Sequence, residues 1–178
     1  LPLSAPPQAA VAIAVLVFTT VQRLGELVYA RANTRWLLAH GGREAGAGHY
    51  PFMVAMHAAW LIGLWGLVLW RQPAVNYLWL GVFVVCQLLR VWVLATLGRR
   101  WTTRIIVVPG ETLVAKGPYR FIPHPNYAVV VVEIAAVPLT LGFVWFAALF
   151  SVLNALMLWV RIREERAALD DAVAARSN

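Results

Sequence analysis

Three uncharged or nearly uncharged apolar runs, Gln8 to Ala30, Pro51 to Trp70 and Tyr77 to Gly98, leave this chain few ways to fold. Each has the roughly 20 residues that a helix needs to cross a hydrocarbon core of about 30 Å. A fourth apolar stretch, Ala128 to Val160, is 33 residues long. As one helix it would measure about 50 Å and overshoot the bilayer, so it is expected to fold back on itself, with Pro138 and Gly142 bracketing the turn and a first arm of only about 15 residues. Composition agrees. With 61% hydrophobic and 13% charged residues and a mean hydropathy of +0.70, the chain is far from a water-soluble enzyme or a nucleic-acid-binding domain. The expected fold is an all-α integral membrane protein of about five transmembrane helices, one domain over residues 1–178.

The placement of charge says more than the net +7. With the N-terminus outside, the inner segments hold Arg31, Arg35, Arg43, Arg99, Arg100, Arg104, Lys116, Arg120, Arg161, Arg163, Arg166 and Arg176, twelve of the fifteen basic residues. The outer side keeps only Arg71, and Arg23 and Arg90 fall inside spans. That asymmetry is the positive-inside pattern of five helices, N-terminus out and C-terminus in; four helices would put the C-terminal arginines on the wrong side. The first apolar run has no basic residues ahead of it and no small-residue cleavage signature after it, so it reads as a helix that stays. The polar stretch from Asp170 onward is expected to fray. A lone cysteine, Cys86, excludes an internal disulfide, and no HxxxH or HExxH pattern supports a metal.

Ionisable groups inside a span are costly and point to function. Arg23, Glu26, His57, Arg90 and Glu133 all fall about 6 to 12 Å below the cytoplasmic helix ends at 1.5 Å per residue. They predict a polar chamber open to the cytoplasm under an apolar roof. The plainer alternative is that Arg23 and Glu26 pair locally, and Arg90 with Glu133 across helices, only to neutralise one another. His57 alone reads as a hydrogen-bonded packing residue. Trp36, Trp101 and Trp159 near the inner boundary, and Trp70 and Trp79 near the outer, read as interfacial anchors.

The longest extramembrane segment runs from Arg99 to Pro125. Two β-prone strips, Thr103 to Val108 and Thr112 to Ala115, flank Pro109-Gly110 and predict a small cytoplasmic hairpin before the fourth helix. Pro123 and Pro125 hold His124 extended, and the helix that follows opens with unpaired N–H groups, a seat for a carboxylate. The returning arm brings Arg161, Glu164 and Glu165 to the same side. With Tyr119 and Tyr127 these groups suit a ligand carrying a carboxylate, an aromatic base, a ribose and a cationic amine, although a charged run ending a span is also an ordinary stop-transfer flank.

Gly117-Pro-Tyr-Arg with His124-Pro-Asn-Tyr127, then roughly 35 residues on Arg161-Ile-x-x-Glu-Glu165, resembles the isoprenylcysteine carboxyl methyltransferase family and its phospholipid methyltransferase relatives over about residues 76 to 169. Arg23, Glu26, Asn33 and His49-Tyr-Pro51 are similar to its compact prokaryotic branch. The resemblance implies a membrane enzyme that binds S-adenosyl-L-methionine on its cytoplasmic side through Gly117, Tyr119, His124, Pro125, Asn126, Tyr127, Arg161, Glu164 and Glu165. It further implies methyl transfer to a carboxylate, phenol or enol oxygen of a lipophilic small molecule, lipidated acceptor or membrane lipid. In that scheme Arg90 and Arg23 orient an anionic acceptor oxygen, and Glu133 balances Arg90 or acts as base. The family's usual Arg before the His-Pro is here Pro123, with Arg120 the candidate substitute. A small transporter or channel using the buried charges as an ion path is the alternative, separable by its indifference to S-adenosylhomocysteine.

Overall fold

The computed structural model of the protein describes residues 7–71, 73–110 and 114–174. Five helices carry the fold: α1 (Pro7–Ala39), α2 (Tyr50–Arg71), α3 (Tyr77–Leu97), α4 (Pro125–Thr140) and α5 (Val144–Ala174). Four of them are long and apolar enough to cross a membrane, and α4, at sixteen residues, is shorter. The chain is thus an all-α, multi-pass membrane protein. At about 24 Å, α4 falls short of a full hydrocarbon thickness. It still reaches the far pole, because its last residue, Thr140, accepts a 2.8 Å bond from the backbone N–H of Asn76 just ahead of α3. Its short length suits an interior element: Val129, Glu133, Ile134, Ala136, Val137, Pro138 and Thr140 are all buried.

The α4–α5 turn shows how local chemistry sets the packing. The helix runs through Pro138 and closes at Leu141–Phe143, where Gly142 takes a left-handed φ of 73° and Phe143 N–H bonds back to Pro138 O at 2.8 Å. Pro138 has no N–H to offer the carbonyl one turn earlier, at Ile134. The indole of Trp60 fills that vacancy at 3.2 Å and fastens α2 to α4. Leu16, Trp60, Leu64, Val137, Leu141 and Phe146 pack the far half of the bundle as one apolar core. A smaller core of Ala30, Val93 and Trp101, with Leu97 and Tyr119, lies at the loop pole.

Two sequence expectations are corrected at that loop pole. Pro109-Gly110 does form a turn, with Gly110 at φ 88°, but the strand ahead of it, β2 (Ile105–Val107), pairs antiparallel with β1 (Arg43–Ala45) in the α1–α2 connection. Ala115 lies outside any strand, and residues 111–113 are outside the described residues. A hairpin was legible only if the partner were local; the actual partner is 60 residues away, where Arg104 also meets Glu44 at 2.7 Å. The stretch from Asp170 continues α5 to Ala174 as regular helix, and residues 175–178 lie outside the described residues.

Candidate active site

Arg23 and Glu26 stand three residues apart on α1, which places both on one face of the helix, toward Arg90 on α3 and Glu133 on α4. Arg23 Nη1 donates to Glu26 at 3.0 Å and Nη2 donates to Glu133; Arg90 Nη2 donates to Glu133 and Nη1 approaches Glu26 at 3.3 Å. The plainer alternative to a polar chamber is two separate pairs; the structure has a closed ring of alternating sign. Gln87 donates to Glu133 at 3.1 Å and Gln22 to Glu26 at 2.9 Å, so each carboxylate is held by three donors. Glu133 is 0% and Arg90 3% exposed, a depth at which only such pairing makes charge tolerable. Each arginine keeps one buried polar atom without a partner, its Nε.

A second constellation sits at the loop pole. Tyr127, in the first turn of α4, donates its hydroxyl to Glu165 at 2.5 Å and accepts from Arg161 Nε at 2.9 Å. Arg161, 6% exposed, also donates to Thr103 O at 2.7 Å and touches Met53 Sδ at 3.2 Å, so it ties α5 to the loop and to α2. His124 stacks on Tyr127 with ring centres 5.1 Å apart. Pro125 opens the helix, so the first N–H of α4 without an intrahelical partner is that of Asn126. The Asn126 side chain accepts from Trp101 Nε1 at 3.3 Å, and Trp101 O accepts from the buried amide of Asn33 at 2.8 Å. Trp101 is 3% exposed and so is no interfacial anchor. Gly117 has a φ of 58°, and a Cβ there would collide with Thr96, so this turn beside α3 requires glycine. Burial, with Tyr127 and Glu165 nearby, pushes the Tyr119 hydroxyl well above its ordinary pKa and keeps it a donor. Glu164 is exposed and packs against Gly46. His49 has both ring nitrogens buried without a partner. Arg120 lies over Phe121 at 5.5 Å and takes no part in the cavity described next.

One cavity of about 250 Å³ joins the two constellations. Arg23, Glu26 and Arg90 line its deep end and Asn126, Tyr127 and Arg161 its shallow end. Of the other residues singled out in sequence, Gly117, Tyr119, His124, Pro125, Glu133, Glu164 and Glu165 are not among its lining residues, although Glu133 and Glu165 bond to Arg23, Arg90 and Tyr127, which are. Sequence reasoning missed Tyr50, Trp101, Thr103 and Asn154. Asn154 is 2% exposed, lines the cavity and has no side-chain bond among the described residues. An amide in the middle of an apolar run was a signal that could have found it. His57 also lines the cavity, with Nδ1 2.8 Å from Met53 O. Leu24 and Val54 are lining residues that also face outward, at 59% and 39% exposure. Among the described residues no group of three His, Cys, Asp or Glu is arranged to hold a metal ion.

Comparison with known proteins places this geometry. The profile of the isoprenylcysteine carboxyl methyltransferase family matches residues 79–171, just over half of the chain and nearly all of the loop-pole constellation. A curated relative, the uncharacterized protein YpbQ of Bacillus subtilis (strain 168), is 42% identical over 162 residues, which cover 89% of this chain and 95% of the relative. No solved structure matches.

Proposed function

This chain belongs to the isoprenylcysteine carboxyl methyltransferase family, and from that premise we propose that it transfers a methyl group from S-adenosyl-L-methionine to an oxygen of a lipophilic acceptor within the membrane. One observation carries the reading: a cavity has a shallow end lined by Asn126, Tyr127 and Arg161, the innermost residues of the two motifs, and a deep end lined by two arginines and Glu26. When bound, S-adenosyl-L-methionine supplies a methyl group on a sulfonium.

The residues present fit that group. Asn126 N–H and the helix start at the shallow end suit its carboxylate, while Glu164 and the orphaned ring nitrogens of His49 stand at the same pole outside the cavity lining and offer acceptors for its ammonium. Methyl transfer from a sulfonium needs alignment and exclusion of water more than covalent help. The chain contributes both: Tyr127, Arg161 and Thr103 bond to one another across the shallow end, while Leu24, Val54, Leu61 and Leu158 supply an apolar wall. Leu24 and Val54 give a hydrocarbon tail a way in from the side of the bundle. Arg23 and Arg90 present their free Nε–H groups to the acceptor oxygen, and Glu133 balances them from behind.

The N-terminus is proposed to lie outside and the C-terminus and loop pole inside, on the strength of the arginine distribution. Reporter fusions at the two termini should give opposite sides. Calorimetric titration of the detergent-solubilised chain with S-adenosylhomocysteine tests the function: saturable one-site binding is expected, and its absence would overturn the reading. Mass spectrometry of lipids from cells with and without the gene would then reveal the acceptor as a species 14 mass units lighter, about one CH₂, that accumulates without it.

A further inference from the structure

We infer that His57 is the general base of this methyl transfer and that the acceptor oxygen arrives as a neutral hydroxyl. The inference rests on the methyltransferase reading above and adds to it a residue and an acceptor chemistry.

The tautomer follows from one contact. Nδ1 of His57 lies 2.8 Å from the carbonyl oxygen of Met53, one turn earlier on α2. A carbonyl can only accept, so Nδ1 carries the proton and Nε2 of the neutral ring is a lone pair. His57 lines the cavity, and with Nδ1 tied to its own helix the distal edge of the ring is what it offers there.

The other titratable groups that line the cavity, among the described residues, are engaged elsewhere; the Tyr50 hydroxyl shares a 3.2 Å bond with Thr103 Oγ1. Glu26 accepts from Gln22 and Arg23 and faces Arg90. Glu133 is held by Arg23, Arg90 and Gln87 and does not line the cavity. The Tyr127 hydroxyl already donates to Glu165. The remaining charged lining residues are arginines, and an arginine does not give up its proton in a protein.

The acceptor chemistry follows from what the deep end offers. Arg23 and Arg90 are matched one for one by Glu26 and Glu133, so the ring is neutral before any acceptor enters. A carboxylate acceptor is already ionised and needs no base, which would leave the His57 lone pair without a use. A hydroxyl arrives uncharged and then needs what the cavity has left over: donors for a developing negative charge, from the free Nε–H of Arg23 and Arg90, and a lone pair for its proton. As the oxygen bonds to the methyl carbon, the S–C pair stays on sulfur and the O–H pair stays on oxygen, while the proton passes to Nε2. One positive charge moves from sulfonium to imidazolium, and atoms and electrons balance.

The test uses the full chain in detergent, with long-chain alkyl phenols of graded acidity as acceptors. S-adenosylhomocysteine titration runs alongside; if the wild type fails to bind it, the methyltransferase reading itself falls. Given binding, His57→Gln should keep that affinity yet lose about 100-fold or more in turnover on the least acidic phenol, with the loss shrinking as acidity rises. An equal loss across the series would mean a positioning role, and no loss would mean no role; either overturns the proposal. A wild type that binds S-adenosylhomocysteine but methylates only the matching alkyl carboxylate would overturn the acceptor chemistry. A second readout needs no cofactor: in ¹⁵N-histidine-labelled protein, with His57 identified by its absence in His57→Gln, the alkyl phenol should shift the Nε2 resonance and the alkyl carboxylate should not. Equal shifts, or an Nδ1 without its proton, would also count against it.

Discussion

The two ends of the cavity solve the burial of charge in opposite ways. At the deep end, charges neutralise charges: Arg23, Arg90, Glu26 and Glu133 form a ring drawn from three helices and backed by two glutamines. At the loop pole, Arg161 is buried almost as deeply but leans on a tyrosine hydroxyl, a backbone carbonyl and a thioether, and Glu165 takes the tyrosine proton donor rather than an arginine. The first arrangement is brittle, since losing one member strands another in the bilayer interior. The second is tied to loop backbone and can rearrange toward water. Removing single members should therefore read out as stability at the deep end and as ligand affinity at the shallow end.

The largest effect tests the brittle end. Glu133→Leu leaves Arg23 and Arg90 facing each other with one carboxylate between them, and breaking a buried pair from one side typically destabilises by about 3 to 5 kcal/mol. Thermal unfolding in detergent should show this, or the variant should fail to accumulate. Arg90→Met combined with Glu133→Leu should restore stability, because a buried pair is often replaceable by apolar groups of similar size. The double variant should nonetheless stay inactive with S-adenosylhomocysteine binding intact, since Arg90 presents a donor to the acceptor oxygen. An active double variant would reduce the ring to a structural device.

Next comes the shallow end. Glu165→Ala and Tyr127→Phe remove the two sides of the 2.5 Å bond, and a hydrogen bond to a charged group is worth about 1.5 to 3 kcal/mol. Each should weaken S-adenosylhomocysteine by about tenfold to a hundredfold while leaving most of the fold intact. The pair should be less than additive, because the two residues share one interaction. Full additivity would mean that each meets the ligand separately.

These contrasts also show where the sequence was legible. Helix number, the α4–α5 fold-back and the common depth of Arg23, Glu26, Arg90 and Glu133 follow from length and from the cost of ionisable groups in lipid, both of which are local properties. The closed ring does not follow, because which arginine meets which glutamate depends on helix rotation, and apolar runs facing lipid and protein alike carry almost no periodic signal to fix it. Trp101 was misjudged for a related reason. A tryptophan near a boundary looks like an interfacial anchor whether it faces the interface or a neighbouring loop. The β1–β2 pairing was missed because two three-residue strands 60 residues apart have no signature that outweighs a turn lying next to one of them.

Asn33 then provides an intermediate test. Its amide donates to the carbonyls of Trp101 and Gly98 at 2.8 and 3.3 Å, and Trp101 passes the connection on to Asn126 at the cavity mouth. Asn33→Ala should cost about 1 to 2 kcal/mol, from one good and one long hydrogen bond left without a donor. Because the link ends on Asn126, S-adenosylhomocysteine affinity should fall by a few fold as well. A stability loss with unchanged affinity would confine Asn33 to packing of the loop.

The smallest effect sharpens the comparison most directly, because it concerns the same chemical pair as the deep ring placed in water. Arg104 and Glu44 meet at 2.7 Å across β1 and β2, yet their side chains are 40% and 22% exposed. At such exposure the Coulomb gain is largely offset by solvent screening and by the entropy of holding two long side chains in place, so the pair is worth about 0 to 1 kcal/mol. Arg104→Met should shift the unfolding midpoint barely at all, and whatever shift there is should shrink as salt is raised. Arg104 also lies over the Tyr50 ring at 4.4 Å, and Tyr50 lines the cavity, so a small loss of cofactor-product affinity without loss of stability is the expected trace of that contact. A destabilisation approaching that of Glu133→Leu would show that the short strands clamp the loop pole as firmly as the ring clamps the deep end, and the division between a brittle interior and an adjustable mouth would fail.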